Sequence, residues 1–296
     1  MSPQPGVFWR IYNFFSPTIR FWLRTEIHVY SFSVAANVLL SFFPFLIVMV
    51  SVCKNVFHSR AAVDAVLLGL HDYFPDELIS FIQRKLLQPR RLEWVSILLL
   101  LFTANGVFEP LEVALNRVWG IAKNRSFLRN QLISYGLIFA CGSLALISAS
   151  ATALNQVLFK DLFGAGAQFA AFFAVVAFKI AVLPAIMLAL FLTYWLLPNG
   201  KVDLRRTVAA AVGVGLLLEL LKWMEVLLWP FLSVKLDREY GPFIYSVTII
   251  LWSFFASMLV LAGAEWASRP NRTLPTETIR LETKDLYTYE RRSNAP

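Results

Sequence analysis

Six long apolar runs constrain this chain more than any other feature of it. They cover residues 29–52, 94–114, 132–159, 167–197, 207–232 and 243–266. A bilayer core about 30 Å thick takes about 20 largely apolar residues in a helix. In lipid every backbone polar group must be paired within its own segment, so runs of this length fold as helices. Pro184 allows the fourth to bend or tilt. Composition points the same way: 16% of residues are charged, against about 25% in a soluble domain, too few to coat a soluble protein of 296 residues. The expected fold class is all-α, a polytopic membrane protein with six transmembrane helices plus short amphipathic interfacial helices.

The expected organisation has three parts. Residues 1–28 form an amphipathic N-terminal interfacial segment, residues 29–266 the six-helix transmembrane domain, and residues 267–296 a polar cytoplasmic tail. The N-terminal segment mixes Phe8, Trp9, Tyr12, Phe14, Phe15, Phe21 and Trp22 with Arg10, Arg20 and Arg24, and Pro17 is expected to break it. Rings beside basic groups suit the headgroup layer. Short connectors are expected at residues 123–130, 160–166, 198–206 and 233–242, and Pro198-Asn199-Gly200 has turn chemistry. The long connector, residues 53–93, carries helical periodicity twice. Ala62, Val63, Val66, Leu67 and Leu70 repeat first, then Leu78, Ile79, Ile82, Leu86 and Leu87 after Pro75. Two short amphipathic helices lying on the membrane or the bundle are expected there.

The net charge of +8 could mean nucleic acid or the inner face of a membrane. Position separates the two. Six spans put both termini on one side. That side then holds Arg10, Arg20 and Arg24, then Arg117, Lys123, Arg125 and Arg129, then Lys201, Arg205 and Arg206, and six more in the tail. The short outer connectors hold only Lys160, Lys235 and Arg238. Positive residues collect in cytoplasmic loops, so both termini are expected in the cytoplasm and no nucleic-acid partner is expected. The basic cluster at residues 84–91 goes against this rule and stands out for it.

An ionisable group at the centre of a spanning helix costs about 2.5–3.5 kcal/mol on insertion scales, so several together need a reason. Asn105, Glu109, Glu112 and Asn116 share one face of the second run, with Pro110 freeing a backbone carbonyl beside them. Glu219, Lys222 and Glu225 stand three apart in the fifth. Lys179 is isolated in the fourth and should find a partner on another helix, and Asn37 lies in the first. Two readings stay open for these groups: a polar pathway between helices, or interhelical pairs that fix packing. Glu265, at the end of the sixth run, reads as a structural partner for a neighbouring backbone or basic group.

Other chemistry is not signalled. Cys53 and Cys141 sit in apolar surroundings and read as core filler, and His28, His58 and His71 are scattered, so neither a metal nor a cofactor is expected. No nucleophile–base pair or nucleotide-binding loop is visible, and no enzyme is expected. The first apolar run starts too late and runs too long for a cleavable signal peptide, so none is expected.

Several strings together carry a resemblance. They are Leu39-Leu40-Ser41-Phe42-Phe43-Pro44, Leu115-Asn116-Arg117-Val118-Trp119-Gly120, Leu197-Pro198-Asn199, then Tyr240-Gly241, Leu251-Trp252 and Gly263-Ala264-Glu265. In this order and spacing, over roughly residues 10–268, they resemble the YihY/BrkB family of bacterial inner-membrane proteins. Ala36-Asn37 and Ala209-Ala210 stand where that family usually has an aromatic pair and Pro-Gly. The resemblance implies a six-helix protein of the bacterial cytoplasmic membrane with both termini inside. It also brings suggested roles in virulence and in transport of lipid or envelope precursors. An older ribonuclease label attaches to the family. The separated histidines, and an acidic pair placed in a span, argue against it here.

The expected function is transport or flipping of an amphipathic or anionic envelope molecule, resting on Lys179, Lys222, Arg117 and the polar stripe. The alternative is a non-transporting scaffold or envelope-assembly factor, resting on the N-terminal segment and the basic tail. Expected partners are membrane lipids and an anionic or lipid-linked ligand. Small residues at 142–153 and 209–215 would permit close packing within or between chains, so an oligomer is compatible with the sequence.

Overall fold

The computed structural model describes residues 7–73, 79–80, 82–84, 94–121, 126–163 and 168–269. Among the described residues every regular element is a helix. In chain order these are α1 (Val7–Trp22), α2 (Thr25–Asn55), α3 (Arg60–Tyr73), α4 (Trp94–Val118), α5 (Phe127–Phe163), α6 (Gln168–Leu196), α7 (Leu204–Tyr240) and α8 (Ile244–Ser268). A single 3-10 turn, Gly241–Phe243, joins α7 to α8.

Each expected apolar run falls on one of α2 and α4 to α8. Even the 25 residues of α4 rise about 37 Å at 1.5 Å per residue, more than a bilayer core. Three stretches of the described residues are long and apolar enough to cross a membrane: Thr25–Asn55, Leu128–Ser148, and Leu204–Ser268, which contains both α7 and α8. Val182–Leu196 is a shorter apolar helix.

The helix ends differ from the sequence expectation in one consistent way. Residues 233–240 were expected in a connector, yet α7 runs through them to Tyr240. Lys235, Asp237, Arg238 and Glu239 can all continue a helix into water, and hydropathy marks only where the lipid stops. Gly241 then closes the helix at φ +48, a left-handed conformation that suits glycine, and its N–H reaches the Asp237 carbonyl. For the same reason α5 starts at Phe127 and ends at Phe163, inside two expected connectors. Pro17 does not break α1. It removes one backbone bond, but its fixed φ is helical and the helix runs on to Trp22. The first amphipathic helix is α3. Of the second, residues 79–80 and 82–84 are helical, with Ile79 and Ile82 buried, while Pro75, Leu78, Leu86 and Leu87 lie outside the described residues. So do residues 85–91 of the basic cluster and residues 270–296 of the tail.

The core has two centres, set at opposite ends of α2. One gathers Ile27, Leu115, Tyr194, Leu197, Val214, Leu261 and Ala264. The other gathers Leu46, Cys53, Val66, Leu70, Ile79 and Ile82, so α3 packs on the bundle and the Cys53 thiol fills the core as expected. The α7 helix shows how the sequence sets the faces. Ala211, Val214, Gly215, Lys222 and Glu225 are buried on one side, while Leu216, Leu220, Trp223, Leu227 and Phe231 form an exposed apolar stripe on the other. An apolar stripe that long belongs against lipid. Hydroxyls in the bundle satisfy themselves along their own helices. Thr193 donates to the Ala189 carbonyl and Thr248 to the Ile244 carbonyl, each at 2.8 Å.

Candidate functional site

A cavity of about 550 Å³ lies between α2, α3, α5, α6, α7 and α8. That is within the size range of small-ligand pockets, about 300–1,000 Å³. Its walls are mostly aliphatic and aromatic: Phe45 and Met49 from α2, Val66 from α3, Leu144 and Ala145 from α5, Ile186 from α6 and Trp252 from α8. Polar groups are few. Cys141 and Ser148 come from α5, Ser253 from α8, and Glu219, Lys222 and Glu225 all from α7.

The spacing of three on α7 brings these last groups together, as the sequence requires. Lys222 Nζ lies 2.6 Å from Glu219 Oε1, and the lysine side chain is 6% exposed. An i, i+3 partner lowers the cost of burying the lysine. Glu225 is different. It is 7% exposed, and its Oε1 has no hydrogen-bond partner. Among the described residues it is the one carboxylate with an oxygen buried in this way.

The other sequence candidates are elsewhere. Asn37 packs against Gly106 where α2 crosses α4, so close that a Cβ on that glycine would run into the amide. Its Nδ2 donates to the Ser33 carbonyl at 2.9 Å. On the polar face of α4, Glu109, Glu112 and Asn116 are not among the described residues that line the cavity. Glu109 is exposed. Glu112 and Asn116 are buried, with Asn116 Nδ2 donating to Glu112 Oε1 at 3.4 Å. Asn116 Oδ1 accepts the Asn199 N–H at 2.7 Å, which ties the turn at residues 198–200 to the end of α4. Asn116→Ala is expected to cost about 1 kcal/mol through loss of that acceptor, read as a lower melting temperature in detergent; no change would mean other contacts hold the turn. The side chains of Asn105 and Lys179 lie outside the described residues.

Arg117 sits at an exposed end of α4, bound to Glu26 at 2.7 Å and to the Tyr30 hydroxyl at 3.5 Å. The hydroxyl first, and the carboxylate after it, raise the pKa of the guanidinium. With both side chains half exposed, this pair adds little stability. Of the three basic groups on which an anionic ligand was expected, Lys222 and Arg117 are thus held by carboxylates, and the Lys179 side chain lies outside the described residues.

One polar cluster exceeds the sequence reading. Glu265 is 2% exposed and binds Arg269 at 3.0 Å, the structural role expected of it. Thr18 of α1 also donates to its Oε2 at 3.0 Å, and Arg269 Nη2 donates to the Thr18 hydroxyl at 2.5 Å. Trp22 Nε1 reaches the Met258 carbonyl at 3.1 Å. Together these bonds fasten α1 along α8. The i, i+4 spacing of Glu265 and Arg269 was visible in the sequence, but Thr18 carried no signal. Among the described residues no group of three or more His, Cys, Asp or Glu is placed to hold a metal ion.

A family profile described as virulence factor BrkB matches residues 18–286. The chain belongs to this family. Its similar relatives are named UPF0761 membrane proteins, and these names describe no enzymatic activity. One from Acinetobacter baylyi is 29% identical over 177 residues, 58% of this chain and 40% of the relative. One from Chlorobium chlorochromatii is 28% identical over 260 residues, 82% of this chain and 56% of the relative. One from Stenotrophomonas maltophilia is 28% identical over 170 residues, 57% of this chain and 38% of the relative. The chain spans about half the length of the curated relatives it matches. No solved structure matches it. It is a membrane protein of the BrkB family, all-helical among the described residues.

Proposed function

We propose that this BrkB-family protein crosses the bacterial cytoplasmic membrane six times, keeps both termini inside, and moves an amphipathic envelope molecule through the cavity between its helices. The observation that carries the reading is the cavity itself. It is about 550 Å³ of largely apolar space with Glu219, Lys222 and Glu225 on one wall. An apolar chain fits the aliphatic walls, and a polar head fits the charged wall. Ionisable groups within spanning helices are rare and face the bundle interior or a cavity. The one-sided distribution of basic residues supports the topology.

Purified full-length protein in proteoliposomes tests the reading. Short-chain fluorescent phospholipid and lipid-linked sugar analogues are placed in one leaflet and their arrival in the other is followed. Movement faster than in protein-free liposomes is expected. Equal rates for every analogue would overturn transport and leave the scaffold role.

A further inference from the structure

Among the described groups lining the cavity, acids outnumber bases. Glu219 and Glu225 face one lysine, Lys222, and Glu219 already binds it at 2.6 Å. Lys222 and Glu225 are both more than nine-tenths buried, and the Glu225 Oε1 atom meets no donor. Among the described lining residues the other elements contribute hydroxyl, thiol or apolar groups: Cys141 and Ser148 on α5, Ser253 on α8, and no charged residue on α2, α3 or α6. A buried carboxylate oxygen without a donor costs more than other buried polar groups, and most of that cost is removed when a cationic N–H reaches it.

We infer that the cavity binds an amphiphile whose head carries a primary ammonium group, with the ammonium donating to Glu225 and the apolar chain along the α2, α5 and α6 walls. This deepens the proposed function by naming the head group its ligand carries, and it rests on that reading only in taking this cavity as the ligand site. An amine-bearing head suits the geometry better than a phosphate alone. Among the described residues the one buried base is already paired, and the open atom is an acceptor.

Equilibrium binding to the full chain in neutral-lipid nanodiscs tests the inference without transport. Three probes share one tail: octylammonium, octyltrimethylammonium and octyl sulfate. Octylammonium is expected to bind tightest. The trimethyl head, which lacks N–H, and the sulfate are each expected to bind at least about tenfold more weakly, as the loss of a charge-assisted hydrogen bond implies. Glu225→Gln is expected to weaken octylammonium binding by about tenfold and to leave octyl sulfate unchanged. Asp237→Asn, an exposed change on the same helix, should alter neither. Sulfate binding as tight as ammonium, or ammonium binding unchanged in Glu225→Gln, would overturn the inference. If Glu225→Gln does not fold, the ranking of the three probes on the unchanged chain decides it. A chain that binds octylammonium through Glu225 but moves no analogue in proteoliposomes would sink transport and leave this assignment standing.

Discussion

Glu265→Ala is expected to release α1 from the bundle and to lower stability by about 3 kcal/mol, the low end for breaking a buried ion pair. The low end applies because Arg269 keeps 23% of its side-chain surface open, while the carboxylate keeps 2%. Removing the carboxylate takes away the group on which both Arg269 and Thr18 converge, and Arg269 then faces the interior without that counter-charge. The helix that Thr18 and Trp22 hold in place loses one of its two anchors. A fall in melting temperature in detergent of about 6 °C or more is expected. Trypsin should also cut faster at Arg20 and Arg24, at the end of α1 and just beyond it. An unchanged melting temperature together with an unchanged cleavage rate would mean that the Trp22 bond and apolar contacts alone dock α1.

Gly263→Leu is expected to be at least as damaging. Gly263 lies where α6, α7 and α8 meet. A Cβ there would run into Val214 of α7 and come within 2.8 Å of the Tyr194 hydroxyl oxygen of α6. Neither neighbour can yield cheaply. Val214 is buried, and Tyr194 is wholly buried with its hydroxyl donating to the Val260 carbonyl at 2.7 Å. Overpacking of this kind costs about 3 kcal/mol, and the variant should reach the membrane in reduced amount or not at all. Gly213→Leu is the matched control. Nothing lies within 4 Å of a Cβ at that position of α7, so it should accumulate as the unmodified chain does. Equal yields of the two variants would contradict the close approach of the three helices.

The sequence made the helices legible because each apolar run is far longer than a soluble helix needs, and it made the α7 triad legible because spacing of three forces it onto one face. Helix ends were harder to read. Charged residues such as Lys235 and Arg238 leave the lipid without leaving the helix, and hydropathy cannot see the difference. The α4 stripe shows another limit. Periodicity places Glu109 and Glu112 near one another, yet one is exposed and the other buried, because the packed face centres on Leu111, Leu115 and Asn116 and Glu109 falls at its rim. Partners across helices were not legible either. Thr18 meets Glu265 across 247 positions, and Arg117 meets Glu26 across 91, distances that no local pattern spans. The cavity was hidden for a related reason. Its polar groups on α5 and α8 are a cysteine and two serines, which look like filler in any single helix.

The proposed path of the amphiphile runs through the cavity beside Glu219, Lys222 and Glu225. The most direct measurement fills that space and follows flux. Ala145 of α5 lines the cavity, and Ala145→Trp would place a large ring within it. Flux of a fluorescent amine-headed phospholipid analogue is compared in proteoliposomes with equal amounts of folded wild-type and Ala145→Trp protein. Flux reduced to the protein-free rate, with an unchanged elution profile, is the predicted result. Wild-type flux from the filled cavity would mean that the amphiphile does not pass through it.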